Sequence, residues 1–276
     1  MMQEWQIDGP QVLDIGDENE TVIRLTLGLV AGRVDVVTHD DSPTARLEVH
    51  EVTGPPLLVT WDGSTLQVSH VKDKNGNLWE SVKSFGVDKG KRSARISISV
   101  PAATDINTNT VSAEALINGV RAKVKTNTVT GLVTLDDITG NVDANTVSGD
   151  VECHALVGDF KGNSVSGALT VQASRLDQTK LNTVSGDITL DLTDGRAQIQ
   201  SNSVSGDVTV RIPHGGGYDV AARTVVGQVV IDGQSMHGNA AHQRGGMLSD
   251  GDKALVIKAN SVSGNVVILR KTDIQD

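Results

Sequence analysis

The sequence predicts an all-β protein, a parallel β-solenoid (β-helix or β-roll) of 18–21 residues per coil joined to an N-terminal β-rich cap. Three observations carry that reading. A short phrase recurs at near-constant spacing, apolar residues alternate with a period of two, and the composition suits stacked strands. Of 276 residues 38% are hydrophobic but only 2% aromatic, with 29 Gly, so a sizeable core must be filled by Val, Leu, Ile and Ala rather than by rings.

The cap comes first in the chain. Residues 1–100 lack the phrase but keep strand alternation in "TVIRLTLGLV", "GRVDVV", "ARLEVHEV", "LLVTW", "STLQVSH" and "ARISISVP", separated by Gly, Pro, Asp and Asn. All three tryptophans, Trp5, Trp61 and Trp79, lie here. They are expected to fill a larger core that covers the first coil, whose open edge would otherwise template aggregation. At the other end, "RKTDIQD" supplies charge to blunt the last edge.

The repeats occupy residues 101–276. The phrase reads "NTVSA" at Asn109, "NTVTG" at Asn127, "NTVSG" at Asn145 and Asn182, "NSVSG" at Asn163, Asn202 and Asn260, and "RTVVG" at Arg223. Successive intervals are 18, 18, 18, 19, 20, 21 and 37 residues. The last exceeds one repeat, and its surplus, "DGQSMHGNAAHQRGGMLSDGD", reads as an inserted or distorted coil with an exposed loop near 232–252. From Asn127 onward Val129, Val133, Leu135, Ile138, Val142 and Ala144 alternate with mostly polar residues, and Gly131, Gly140, Gly149, Gly158 and Gly167 mark a nine-residue beat. Stacked coils place each residue over its equivalent one repeat later, about 4.8 Å away.

Each residue of the phrase then receives an expected role. Asn109, Asn127, Asn145, Asn163, Asn182, Asn202 and Asn260 form a structural corner ladder, each amide donating to one neighbour and accepting from the other. The Val forms a buried column. The hydroxyl residues on either side of it point outward: Thr128, Thr146, Ser164, Thr183 and Ser203 in one column, and Thr130, Ser148, Ser166, Ser185 and Ser205 in a second. Such a grid is a candidate binding face, spaced about 4.8 Å one way and about 7 Å the other.

The run "ARISISVPAATDINTNTVSAEALI", followed by "TVSGDV"-type units, resembles the bacterial adhesin family of β-strand-repeat proteins, a domain of unknown function. The resemblance covers most of the chain. It implies a β-solenoid and supplies no catalytic residue. Members of that family often carry an export signal or membrane segment, which this sequence does not show.

Other chemistry is poorly supported. A calcium β-roll needs paired glycines and a regular carboxylate, whereas the residue after the phrase Gly is Leu132, Asp150, Ala168, Asp187, Asp207, Gln228 or Asn265. "NTV" and "NSV" are not glycosylation sequons. A sugar-processing groove needs paired acids and aromatic platforms, and the repeats offer only Phe160 and Tyr218 as aromatics. His237 and His242, with Met236 and Met247, lack the spacing of a metal site, and Cys153 falls on an apolar position. The charge of -10 argues against nucleic acid and anionic membranes.

The expectation is therefore a non-enzymatic structural or interaction scaffold, with no cofactor, no metal and no membrane insertion of this chain. Its partner is an unknown protein or a second copy. A ligand- or ice-binding face is the alternative, and a polysaccharide-processing enzyme the third reading. Lacking a signal or transmembrane segment, the chain is expected in the cytoplasm, or at the envelope if a leader or anchor precedes it.

Overall fold

The computed structural model describes residues 2–17, 19–70, 92–236 and 244–271. Trp79, His237, His242 and the last five residues lie outside the described residues. All regular structure is β. The chain divides into two compact units, Met1–Leu135 and Asp136–Asp276.

The first unit opens with β1 (Gln3–Ile7), β2 (Gln11–Ile15), β3 (Arg24–Leu29), β4 (Ala31–His39), β5 (Ala45–Thr53), β6 (Leu57–Trp61), β7 (Thr65–Ser69) and β8 (Ser93–Pro101). It closes with β9 (Asp105–Thr110), β10 (Glu114–Asn118) and β11 (Val124–Thr128), while β12 (Val133–Asp136) reaches the boundary. The β3–β4 pair is sandwiched out of sequence order: β3 runs parallel to both β7 and β9, and β4 runs parallel to both β8 and β10. Beyond them the pairing turns antiparallel, with β6 on β7, β1 on β6, β5 on β8 and β2 on β5. Leu25, Leu27, Val34, Val36, Ile96 and Ile98 are fully buried between the layers. Trp61 is also buried, its Nε1 donating to Glu20 Oε2 at 2.8 Å, so the ring fills the core without stranding its polar atom.

The second unit contains β13 (Val142–Thr146), β14 (Val151–His154), β15 (Val157–Ser164), β16 (Leu169–Thr183), β17 (Ile188–Leu192), β18 (Ala197–Ser203), β19 (Val208–Ile212), β20 (Tyr218–Thr224) and β21 (Val229–Ile231). It ends with β22 (Gln234–Ser235), β23 (Arg244–Asp250), β24 (Leu255–Asn260) and β25 (Val266–Arg270), so strands occur within the surplus stretch as well. One sheet stacks β13, β15, β16 and β18 in parallel, pairing Asn145 with Asn163, Asn163 with Asn182 and Asn182 with Asn202. The other stacks β14, β16, β17 and β19. Between the sheets run apolar columns such as Val151, Leu169, Ile188, Val208, Val266 and Val229, every one at most 1% exposed. Burying a side chain of this size contributes about 1.5–3 kcal/mol, so the columns are the main source of stability.

Two features depart from a purely parallel solenoid with coils in sequence order. The sheets are mixed: β23 closes against β20, and β22 against β21, both antiparallel. Unpaired strand edges attract other chains, and a returning strand satisfies them most directly by running antiparallel. The final coil is also displaced. β24 lies between β18 and β20, and β25 between β19 and β21, so the copy at Asn260 is inserted between the copies at Asn202 and Arg223 and takes the place on Asn202 that sequence order would give to Arg223. An Arg at position 223 cannot continue an amide ladder, whereas Asn260 can.

Candidate interaction surface

The strand carrying the phrase ends at its Thr or Ser, or at Asn260 in the last copy, and the chain bends there. Alternation counted straight through "T-V-S" therefore has the wrong phase. Thr128, Thr146, Ser164, Thr183 and Ser203 are buried, at 5–6% exposure, not outward. Their hydroxyls clamp the bend three residues on: Thr146, Ser164 and Ser203 donate to the carbonyls of Gly149, Gly167 and Gly206 at 2.6, 2.6 and 2.8 Å. Thr128 and Thr183 accept from the N–H of Gly131 and Gly186 at 3.1 and 2.9 Å. The valine is not a core column either. Val165, Val184, Val204, Val225 and Val262 are 45–49% exposed.

The remaining residues of the phrase hold coil to coil. Within the first unit Asn127 Nδ2 donates to Asn109 Oδ1 at 2.8 Å. In the second unit Asn163 donates to Asn145, Asn182 to Asn163, Asn202 to Asn182 and Asn260 to Asn202, at 2.9, 2.9, 3.0 and 3.1 Å. Ser185, Ser205 and Ser263 donate to the carbonyls of Val165, Val184 and Val204. Thr130 donates to that of Val111. Ser148, Ser166, Ser185, Ser205 and Thr130 are exposed, so of the expected grid only this second column faces outward. The Gly allows the closest approach: a Cβ on Gly167, Gly186 or Gly206 would stand 1.9–2.0 Å from the carbonyl oxygen of the Gly beneath. Asp150, Asp187 and Asp207 then accept from the N–H of Ala168, Asp207 and Asn265 at 2.7–2.8 Å.

Valine alone in the phrase has no side-chain part in this stacking. Backbone bonds from Ser166 to Val147, Ser185 to Val165, Ser205 to Val184, Ser263 to Val204 and Val226 to Val262 set the corner in register. The second unit thus carries a continuous apolar ridge of Val165, Val184, Val204, Val262 and Val225, with half-buried Val147 at one end and Val226, 65% exposed, beside the other. At about 4.8 Å per coil the five exposed valines span roughly 19 Å.

A second outward column escaped the sequence reading. Thr170, Thr189 and Thr209 stack in register on the outer face of the β16–β17–β19 sheet and continue into Val267. They are half-buried. The signal was present in "GALTV", "GDITL" and "GDVTV", each with a Thr three residues after the Gly.

Titratable groups are dispersed rather than convergent. Among the described residues no three of His, Cys, Asp and Glu come together as a metal-binding group would. His154 Nδ1 lies 2.9 Å from Asp136 Oδ1 in an exposed pair. Burial, with the Asp136 charge adding to it, pushes the Cys153 thiol up to about 12, leaving it protonated and unreactive. In the first unit, burial and the neighbouring Arg92 charge push the His70 imidazole down to about 4. No helix among the described residues is long and apolar enough to cross a membrane.

Residues 37–269 match the model of the family described as Toastrack DUF4097. No curated protein matches the chain. A solved structure named as a candidate lipid binding protein of Parabacteroides distasonis aligns over 95% of this chain and 97% of its own, at 15% identity and a TM-score of 0.52. A candidate adhesin of Bacteroides fragilis aligns over 95% and 97% at 14% identity and a TM-score of 0.43. A candidate cell adhesion protein of Clostridium sporogenes aligns over 95% and 100%, at 13% identity and 0.24. At such identities the first of these likenesses bears on fold alone.

Proposed function

The chain belongs to the Toastrack DUF4097 family, and we propose that it is a non-enzymatic interaction scaffold of solenoid-like coils whose contact surface is the valine corner. One observation carries the proposal. The Asn, the Thr or Ser before the valine and most of the Ser after it clamp a bend or join neighbouring coils, while an apolar, half-exposed valine recurs coil after coil with no bond to make. Burying the exposed half of five valines releases about 1 kcal/mol each, which only just offsets the cost of association. Such a ridge makes weak contacts that gain strength through multivalency.

A second copy of the chain is the simplest partner. Light scattering across a concentration series tests this: the native chain should gain mass with concentration, and Val184→Asp with Val204→Asp should abolish the gain. A native chain that stays monomeric throughout refutes self-association through this ridge.

The stacked Thr170, Thr189 and Thr209 favour a second reading, an ordered ligand or ice on the outer sheet face. Thermal hysteresis that disappears in Thr189→Leu supports it, and hysteresis absent from the native protein removes it.

A further inference from the structure

The displaced final coil has a particular construction. β23 runs along one edge of β20 and β24 along the other, so the four-residue link 251–254 must cross the end of β20. It does so at Gly217, where a Cβ would stand 2.2 Å from the Asp252 nitrogen. Asp252 Oδ1 accepts from the N–H of Gly217 and Ala254 at 3.0 and 3.2 Å. Lys253 is held at a φ of 57°, a left-handed conformation that a residue with a side chain adopts at a cost. Short, strained links of this kind favour opening of the closed form and exchange of the segment they hold.

The slot that receives β24 and β25 is formed wholly by earlier residues. On one side Asn202 accepts from Asn260, and Asp207 accepts from the N–H of Asn265. On the other, Thr224 donates to the Gly264 carbonyl at 2.9 Å and the Gln228 N–H donates to Asn265 Oδ1 at 3.0 Å. At the far end Arg270 pairs with Asp232 and Asp250 at 3.2 and 2.9 Å, and Lys271 Nζ reaches Asp191 and the Leu192 carbonyl. Each of these contacts would form equally well if the coil came from another molecule.

We propose that residues 255–271 are an exchangeable coil, and that their partner is the same slot in a second copy of this chain, filled reciprocally once the 251–254 link opens. This exchange does not depend on the valine corner. A Val184→Asp, Val204→Asp chain should exchange normally even if it no longer associates through the ridge.

The test uses full-length chains in which Cys153 is replaced by Ala and cysteines are introduced only at facing ladder positions. Asn202 and Asn260 are direct partners on adjacent strands, and a spacing of about 4.8 Å lies within the range a disulfide spans. A chain bearing both Asn202→Cys and Asn260→Cys should close an internal disulfide. Chains bearing one change each, unfolded together and refolded at about 1 mM, the effective concentration of a short link, should yield a covalent mixed dimer. Lys253→Gly should lower the mixed yield roughly fivefold by relieving the link, and Lys253→Pro, which cannot take a positive φ, should raise it. Failure of the internal disulfide, absence of the mixed dimer, or an equal yield from two Asn202→Cys chains each overturns the proposal.

Discussion

Replacing Asn182 by Ala is the sharpest probe of the asparagine ladder. Asn182 is an interior rung: its Nδ2 donates to Asn163 Oδ1 at 2.9 Å and its Oδ1 accepts from Asn202 Nδ2 at 3.0 Å. The substitution removes both bonds and leaves two neighbours with an unmet group. At a net contribution of about 1 kcal/mol per bond the cost is about 2 kcal/mol. The amides are only part-buried, so water can reach the orphaned atoms and the full desolvation penalty does not apply. In a chain of this size that loss lowers Tm by about 4–8 °C. Asn260 is the control, since its side chain donates a single ladder bond, to Asn202, and is exposed, so Asn260→Ala should cost about half as much. Urea unfolding of both variants, followed by circular dichroism, measures the difference. Equal losses at the two positions would refute an additive ladder.

Three further outcomes follow from the same geometry. Gly206→Ala should cost more than about 4 kcal/mol or prevent folding, because its Cβ would lie 2.0 Å from the backbone oxygen of Gly186, which cannot retreat; yield and urea midpoint report it. Burial holds His70 at about 4 in the folded chain against 6.5 unfolded, so between 6.5 and about 4 only the unfolded state takes up its proton. That contribution is complete above 6.5 and is lost as pH falls toward 4, and His70→Gln should flatten this part of the stability profile. Cys153 should resist thiol reagents at neutral pH while the protein is folded and react at once in denaturant.

How much of this was legible in the sequence depends on the range of the interaction concerned. The amide ladder follows from spacing, because Asn163 and Asn182 meet whenever consecutive repeats stack. The phase of the corner does not follow from alternation, because the strand ends at residues such as Thr146, whose hydroxyl turns inward to bond Gly149. A hydroxyl three residues before each Gly was the available sign of a clamped bend. The displaced coil is a tertiary choice that no local pattern encodes. Its only trace is that Arg223 and Val226 break the phrase, making that copy a poor neighbour for Asn202.

The assignment of the valine as the exposed member of each corner, with its Thr or Ser neighbour turned inward, is tested most directly by thiol accessibility. Val184→Cys and Thr183→Cys place a cysteine at adjacent positions whose exposures are 46% and 5%. Under native conditions the thiol at 184 should react with maleimide on the order of 100-fold faster than the thiol at 183, which is released only by local opening. Faster labelling at 183 would contradict the account, returning the valine to the core and the hydroxyl to the surface.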